Sequence, residues 1–186
     1  DTVFGGSSGD SNLILESILR QKIQSTALIP LIEPVTVARL VEAGVGATVT
    51  LPVGGHYATA FFKPLRVTGT VRRIADGHVK MSEHRSPSID MGRTVIFEVG
   101  PVTLMISELR GVAGNVPEVY RAFGVEPVGY KMAVLKTASN FQYFAPITSQ
   151  LIRVDTTGPG QSDVVGLPWK RVPRPIYPLE EVASWR

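Results

Sequence analysis

The first ten residues, DTVFGGSSGD, combine glycines, serines and aspartates, which are residue types suited to binding or to nucleophilic chemistry. Gly5, Ser7 and Gly9 match the letters of the G-x-S-x-G turn that carries the nucleophilic serine of α/β-hydrolases. That turn needs a strand before it, and an acid and a histidine well downstream. Only four residues precede Gly5 and the last histidine is His84, so the sequence disfavours a serine hydrolase.

The same segment suits a second chemistry, because the backbone N–H groups of a Gly-rich loop that leads into a helix can bind an anionic or carbonyl oxygen. The loop lacks the Gly-Lys-Ser/Thr ending of a phosphate-binding P-loop and the spacing of a dinucleotide fingerprint. A mobile chain terminus is the alternative interpretation, since Gly-rich segments serve both purposes. The candidate substrate-binding residues of this loop are Asp1, Gly5, Gly6, Ser7, Gly9 and Asp10.

A lysine in the last third is a further candidate. Lys136 follows an apolar run at 132–135 that predicts a buried strand, and it precedes a predicted helix. This position is the carboxyl edge of the sheet, where α/β proteins bind their ligands, and the amine could contact a carboxylate there. A solvated surface lysine is the alternative interpretation.

Metal-binding side chains are few, because the chain has no cysteine and only three histidines, His56, His78 and His84. No two of them have the H-x-x-x-H or H-x-H spacing of a zinc site. On one continuous strand His78 and His84 would lie roughly 20 Å apart, and only a sharp turn would bring them together. The sequence therefore favours structural or surface roles for the histidines and predicts no metal site within this chain.

The first two thirds of the chain contain the helices and strands that must position these residues. Helical spacing of apolar residues predicts a first helix from about Asn12 to Gln24. An apolar run that Pro30 weakens predicts a strand at Ala27–Ile32. Glu33-Pro34 then begins a predicted helix, with Pro34 in its first turn and Gly44 just past its end. Alternation of period two predicts an antiparallel meander between Ala47 and Ile106, with turns at Asp76-Gly77 and Gly100-Pro101.

The last third contains weaker signals. They predict a helix at Pro117–Phe123, a buried strand at Met132–Leu135, a helix capped by Ser139 with Gln142 and shortened by Pro146, and a strand at Leu151–Val154. Repeated prolines predict an extended tail over residues 159–186. Such a tail could enter an aromatic groove, or it could pack its apolar side chains on a neighbouring surface.

Composition indicates one domain, 1–186, of mixed α/β class: a mixed sheet with an antiparallel meander in the middle, flanking helices and an extended tail. Lys and Arg number 19 against 16 Asp and Glu, and the basic residues are scattered, which disfavours nucleic acid as a partner. No apolar stretch approaches the ~20 residues that span a bilayer, so we expect no membrane partner. The lack of cysteine permits a reducing compartment, and we expect a cytoplasmic location. The chain begins without methionine inside a loop-like segment, so we expect a fragment of a longer polypeptide.

Several segments follow one another in a specific order along nearly the whole chain: DTVFGGSSGDSN, AGVGATVTLPVGG, PLRVTGTV, DMGRTVIFEVG, VLKTASNF, IRVDTTGP and LPWKRVPRPIYPLE. Together they resemble the C-terminal domain of the microcystinase-C-like (MlrC) zinc metallopeptidase family. The opening loop, the Lys136 motif and the proline-rich ending carry most of this resemblance.

The resemblance implies a bacterial, two-domain, zinc-dependent peptidase or amide hydrolase. Its upstream N-terminal catalytic domain would supply the His, Asp and Glu ligands of the zinc, and this domain would close one side of a cleft for a peptide-like or amide substrate. The fragment would bind no cofactor and would be inactive alone. Gly5 to Asp10, Lys136 and Asn140 would contact or orient the substrate.

This chain departs from the family pattern at two places. Many relatives have Asp-Asn-Pro where this chain has Asp1-Thr2-Val3, and many have His where this chain has Asn140. Asparagine donates and accepts hydrogen bonds but transfers no proton, so Asn140 would keep only an orienting role. The alternative functions are a non-catalytic small-molecule module that binds an anion through the Gly-rich loop, and an interaction domain that works through its tail.

Overall fold

The computed structural model describes residues 2–82, 84–160 and 163–182, so Asp1, one of the candidate site residues, lies outside the described residues. Three α-helices and eight β-strands lie within these ranges. The helices are α1 (Leu13–Arg20), α2 (Pro34–Ala43) and α3 (Pro117–Ala122). The strands are β1 (Ala27–Ile32), β2 (Thr48–Val53), β3 (Leu65–Ala75), β4 (His78–Lys80), β5 (Ser88–Asp90), β6 (Thr94–Val99), β7 (Val102–Ser107) and β8 (Met132–Ala133).

Six of the strands form one mixed sheet in the order β2-β3-β6-β7-β1-β8, and β4 pairs with β5 in a separate hairpin. Strands β2, β3, β6 and β7 are antiparallel neighbours, which confirms the predicted meander. Strand β1 runs parallel to both β7 and β8. The mixed α/β class predicted from the sequence is therefore confirmed.

The two faces of the sheet carry separate hydrophobic clusters, because successive strand residues point to opposite faces. Ile29 of β1 belongs to the cluster that contains Leu15 of α1 and Leu40 of α2. Leu28 belongs to the other cluster, together with Tyr120 of α3. Strands β1 and β7 are buried along almost their whole length, as expected for strands that are covered on both faces.

Strand β8 is shorter and more exposed than the buried strand predicted at 132–135. Its ladder with β1 covers only Met132 and Ala133, at the edge of the sheet, and both residues are accessible to solvent. This short edge strand also explains how Pro30 is tolerated within β1. Leu28 O accepts a hydrogen bond from Val134 N (2.8 Å), so the nitrogen of Pro30, two residues on, faces the same edge beyond the β8 ladder, where no N–H donor is required.

Two predictions for the last third are wrong. The segment after Ser139 forms two 3₁₀ turns, Asn140–Tyr143 and Ala145–Ile147, because the Ser139 side chain makes no capping bond and Pro146 interrupts the segment. The hydroxyl of Thr137 accepts from Asn140 N instead (2.9 Å). The segment at 151–154 forms no strand, since its side chains are exposed and have no neighbouring strand to pair with.

The remaining tail, described over 163–182, contains no assigned helix or strand, and most of its residues are exposed. Its cluster of prolines prevents regular backbone hydrogen bonding. Among the described residues, no helix has both the length and the apolar character that crossing a membrane requires.

Candidate functional site

The carboxyl ends of the parallel strands meet at one edge of the sheet, as parallel pairing requires. Glu33 directly follows β1, Ser107 is the last residue of β7, and Lys136 follows β8. Glu33 N donates to Ser107 O (2.8 Å), which ties two of these strand ends together. The Gly-rich loop that precedes α1 lies on the same edge, since Ile32 N donates to Gly9 O (3.2 Å).

Lys136, which follows β8, binds this loop through hydrogen bonds of its side chain. Its side chain is buried, with only 7% of the residue exposed, and its Nζ donates to Gly9 O (2.7 Å) and Ser11 O (2.9 Å). Its backbone is fixed as well, because its N–H donates to Asn115 Oδ1 (3.1 Å) and its carbonyl accepts from Val3 N (3.2 Å). In this structure the amine therefore holds the loop in its conformation.

The amine of Lys136 also titrates at an unusual pH. Burial lowers its pKa to about 7, although the nearby carboxylates of Asp10 and Glu33 oppose that change. Desolvation disfavours the charged form of a buried lysine, and only an adjacent negative charge can offset it. Near neutral pH the amine consequently exchanges between its charged and neutral forms.

Asp10 connects the Gly-rich loop to the loop that follows β2. Its side chain is fully buried and accepts hydrogen bonds from Ser8 Oγ and from Tyr57 N, the latter at 2.8 Å. Its backbone carbonyl accepts from Gly55 N (2.9 Å). Both loops are therefore held by one carboxylate residue.

Asn12 makes a second connection between the same loops. Its Nδ2 donates to Val53 O and to Lys63 O, each at 2.8 Å, and it makes no capping bond to α1. Gly54 is required beside it, because its φ is +69° and a Cβ atom at Gly54 would lie 2.5 Å from Asn12 Cβ. Asn12, which precedes the first residue of α1, therefore joins β2 to the Gly-rich loop.

Glu33 and His56 form the pair at this edge that sequence reasoning missed. Glu33 is fully buried, its Oε1 is hydrogen-bonded to Nδ1 of His56, and its Oε2 accepts from Thr36 Oγ1 (2.8 Å). Burial raises the pKa of the neighbouring Tyr57, and the charges of Glu33 and Asp10 raise it further. The only sequence signal for this pair was that Glu33 directly follows β1 and that His56 lies three residues after β2.

Most of the predicted loop residues lie at this edge, but they differ in exposure. Gly5 and Gly6 are exposed, and the N–H groups of Gly5, Gly6 and Ser7 donate back to Thr2 O and Val3 O within the opening turn (2.9–3.3 Å). Ser7 is fully buried, and within the described residues its hydroxyl has no hydrogen-bond partner. Ser7 packs against Gly160, and a Cβ atom added at Gly160 would lie 2.3 Å from Ser7 Oγ.

Asn140 lies on a different surface from the loop. It lines an open cavity of about 620 Å³ with His84, Arg85 and Tyr143, and none of the Gly-rich loop residues lines that cavity. Asn140 follows Lys136 by four residues in the sequence, and its N–H donates to Thr137 Oγ1 (2.9 Å). The structure thus brings Gly9, Asp10 and Lys136 into direct contact and positions Asn140 apart from them.

The side chains described by the structure do not form a complete metal site. Within the described ranges, no three His, Asp or Glu side chains are grouped closely enough to hold a metal ion. The facing atoms of Glu33 and His56 bind each other.

Comparison with known proteins places the whole chain within longer relatives. Residues 1–171 match the family model described as "MlrC C-terminus". The chain is 28% identical over 183 residues to microcystinase C from a Sphingomonas species, in an alignment that covers 98% of this chain and 35% of the relative. A crystal structure of a candidate metallopeptidase from Mesorhizobium sp. BNC1 is also 28% identical. It superposes with a TM-score of 0.82 over 100% of this chain and 37% of its own. The chain thus spans just over a third of the length of these relatives.

Proposed function

Because the chain belongs to the MlrC C-terminus family, we propose that it is the C-terminal domain of a zinc-dependent metallopeptidase or amide hydrolase. In this proposal an upstream N-terminal catalytic domain binds the zinc, and this domain forms one side of the cleft for a peptide-like or amide substrate. The names of the two relatives support a peptidase, and their greater length leaves room for another domain. The proposed location is the cytoplasm, which a chain without cysteine permits.

The observation that carries this proposal is the set of buried polar residues beneath the Gly-rich loop. We define the edge cluster as Asp10, Glu33, His56 and Lys136. Three of these residues are at least nine-tenths buried, and burying charged groups costs free energy that hydrophobic residues would not. Groups of this kind, at the carboxyl edge of parallel strands, are typical of ligand-binding and catalytic sites.

Each residue of this edge has a specific task in the proposal. Gly5 and Gly6 present exposed backbone without side chains, so a flat or extended substrate could approach them closely. Asp10 and Lys136 hold the loop in one conformation, which removes much of the entropic cost of ordering it when substrate binds. Asn140, in its separate cavity, orients a more distant part of the substrate.

The zinc ligands are proposed to come from the upstream domain, because the described residues of this chain do not fit a complete zinc site. Bound zinc supplies a polarising charge for the amide carbonyl and for water. The residues of this chain would bind and orient the substrate opposite to it.

The anion-binding module is less well supported by the same geometry. The N–H groups of Gly5, Gly6 and Ser7 are already engaged within the loop, although free donors would be needed for an anion. Two buried carboxylates, of Asp10 and Glu33, also lie beside the loop and would repel a negative ligand.

Metal analysis and peptide hydrolysis, measured on this chain alone and on the longer protein, test the proposal. We expect zinc and turnover in the longer protein and neither in the chain alone. Addition of the separately produced upstream domain should restore some turnover. Stoichiometric zinc and full turnover in the isolated chain would refute the division of labour.

A further inference from the structure

The imidazole of His56 is oriented by a hydrogen bond to a buried carboxylate, an arrangement typical of catalytic histidines. Its Nδ1 is bonded to Oε1 of Glu33, a side chain that is 0% exposed, whereas the side chain of His56 is 23% exposed. Among the residues that the structure describes, its Nε2 has no hydrogen-bond partner. One ring nitrogen therefore faces a buried carboxylate, and the other is left for an external group.

Both partners in this pair are rigidly placed. The second carboxylate oxygen of Glu33 accepts from Thr36 Oγ1 (2.8 Å), and Glu33 N donates to Ser107 O (2.8 Å). His56 is bracketed in sequence by Gly55 and Tyr57, whose N–H groups both donate to Asp10 of the Gly-rich loop (2.9 and 2.8 Å). The ring thus lies next to the loop that is proposed to contact substrate.

The contact with Glu33 decides which nitrogen carries the proton. A carboxylate accepts a hydrogen bond from Nδ1–H, so the neutral ring keeps its lone pair on Nε2. The same logic of a base oriented by a third group recurs in nucleophilic and acid–base catalysis. His78 differs, because the Nδ1 atom of its ring lies 3.7 Å from the carboxylate of Asp90 and both side chains are mostly exposed.

We propose that His56 is the proton-transfer residue that this domain contributes to the cleft and that Glu33 is its positioning residue. This inference rests on the proposed amide hydrolysis. As the oxygen of water bonds to the amide carbon, Nε2 of His56 accepts a proton from that water. When the C–N bond breaks, the imidazolium returns the proton to the leaving nitrogen, so the ring ends unchanged.

Two substitutions of His56 separate a catalytic from a structural role in the longer protein. His56→Asn keeps an N–H donor near the Nδ1 position for Glu33 but removes Nε2, whereas His56→Gln keeps a polar atom near Nε2. We expect His56→Asn to fold normally and to lose about 10²–10⁴-fold in kcat with a much smaller change in KM. The matched control is His78→Asn, which should retain full activity.

The pH profile provides a readout that a structural role would not move. The other titratable groups around His56 are Glu33, Asp10, Tyr57 and Lys136. We expect the acid limb of kcat/KM that belongs to the imidazole to disappear in His56→Asn, while limbs that belong to the other groups remain.

Nitrogen-15 NMR of the imidazoles tests the geometry in the 186-residue chain without any substrate. The neutral ring of His56 should carry its proton on Nδ1 and leave Nε2 unprotonated, and Glu33→Gln should shift this tautomer balance. Protonation of Nε2 in the neutral ring would overturn the proposal.

Comparison of the unmodified longer protein with His56→Asn distinguishes failure of the proposed function from failure of the role of His56. If the unmodified longer protein hydrolyses no amide, the proposed function is refuted, together with the inference that rests on it. If it is active and His56→Asn keeps wild-type kcat and an unchanged pH profile, only the role of His56 is refuted.

Discussion

The edge cluster and the segment after residue 147 depart in opposite ways from the usual pattern, in which apolar side chains are buried and polar side chains are exposed. At the sheet edge, polar side chains are buried and hydrogen-bonded, Glu33 to His56 and Lys136 to backbone carbonyls of the Gly-rich loop. After residue 147, large apolar side chains are exposed: Leu151, Ile152, Val154, Val165, Trp169 and Tyr177. Buried polar groups are costly and therefore indicate a function, whereas this exposed segment contributes little to the stability of the chain on its own.

The largest effect is expected from removing the amine of the edge cluster. Lys136→Met would leave Gly9 O and Ser11 O, which are held by the amine, without that donor. We expect the free energy of unfolding to fall by about 2–4 kcal/mol. Urea denaturation measures this change. The matched control is Lys131→Met, at an exposed lysine that directly precedes β8. Equal stability of both variants would show that the cluster does not hold the loop.

The contact between Asn12 and Gly54 should produce the next largest effect. Gly54→Ala places a methyl group against Asn12 in a left-handed conformation, so we expect a loss of about 2–3 kcal/mol. Gly6 also has a positive φ, +94°, in the left-handed region, but nothing lies within 4 Å of an added Cβ atom there, so Gly6→Ala should cost only about 1 kcal/mol. Thermal denaturation compares the two, and equal losses would rule out a tight contact at Asn12.

The pH dependence of stability tests the state of the Lys136 amine. Its pKa is lowered from 10.5 to about 7 on folding, so between these values the unfolded chain binds a proton that the folded chain lacks. The free energy of unfolding should therefore rise with pH across this window, by up to about 1.4 kcal/mol per pH unit. Subtracting the Lys136→Met curve isolates the amine. A difference that shrinks as pH rises would mean that folding stabilises the charged form.

The smallest effect is expected in the exposed segment. Ile152 is 70% exposed, so Ile152→Ser should change the stability of this chain by no more than about 0.5 kcal/mol. Denaturation of the isolated chain measures it. A loss above about 2 kcal/mol, typical of a buried aliphatic side chain, would place the segment in the core.

The sequence predicts the framework of this edge well where the signals are local. Pro34 and Gly44 bound α2 as expected, because a proline suits the first turn of a helix and a glycine suits the residue after it. The turn at Gly100-Pro101 connects β6 to β7 in the meander, as its composition indicated. Lys136 was also correctly placed at the carboxyl edge of the sheet.

The pairs within the site could not be predicted, because they join distant parts of the chain. Glu33 and His56 are 23 positions apart, and Lys136 binds a carbonyl 127 positions away. Nothing local distinguishes His56 from His78, since only the tertiary fold places a buried carboxylate beside one of them. The prediction of a strand at 151–154 was wrong for a related reason, because a short apolar run forms no strand without a neighbouring strand to pair with.

The most direct test of the functional assignment of the edge cluster is amide hydrolysis by the longer protein with one substitution in each of the two regions. Asp10→Asn weakens the connection between the two loops, so kcat/KM should fall by about 10²-fold or more in the folded protein. Ile152→Ser should leave kcat/KM within about twofold, as for a surface change. Wild-type kcat/KM in a stably folded Asp10→Asn protein would contradict the assignment of function to this edge.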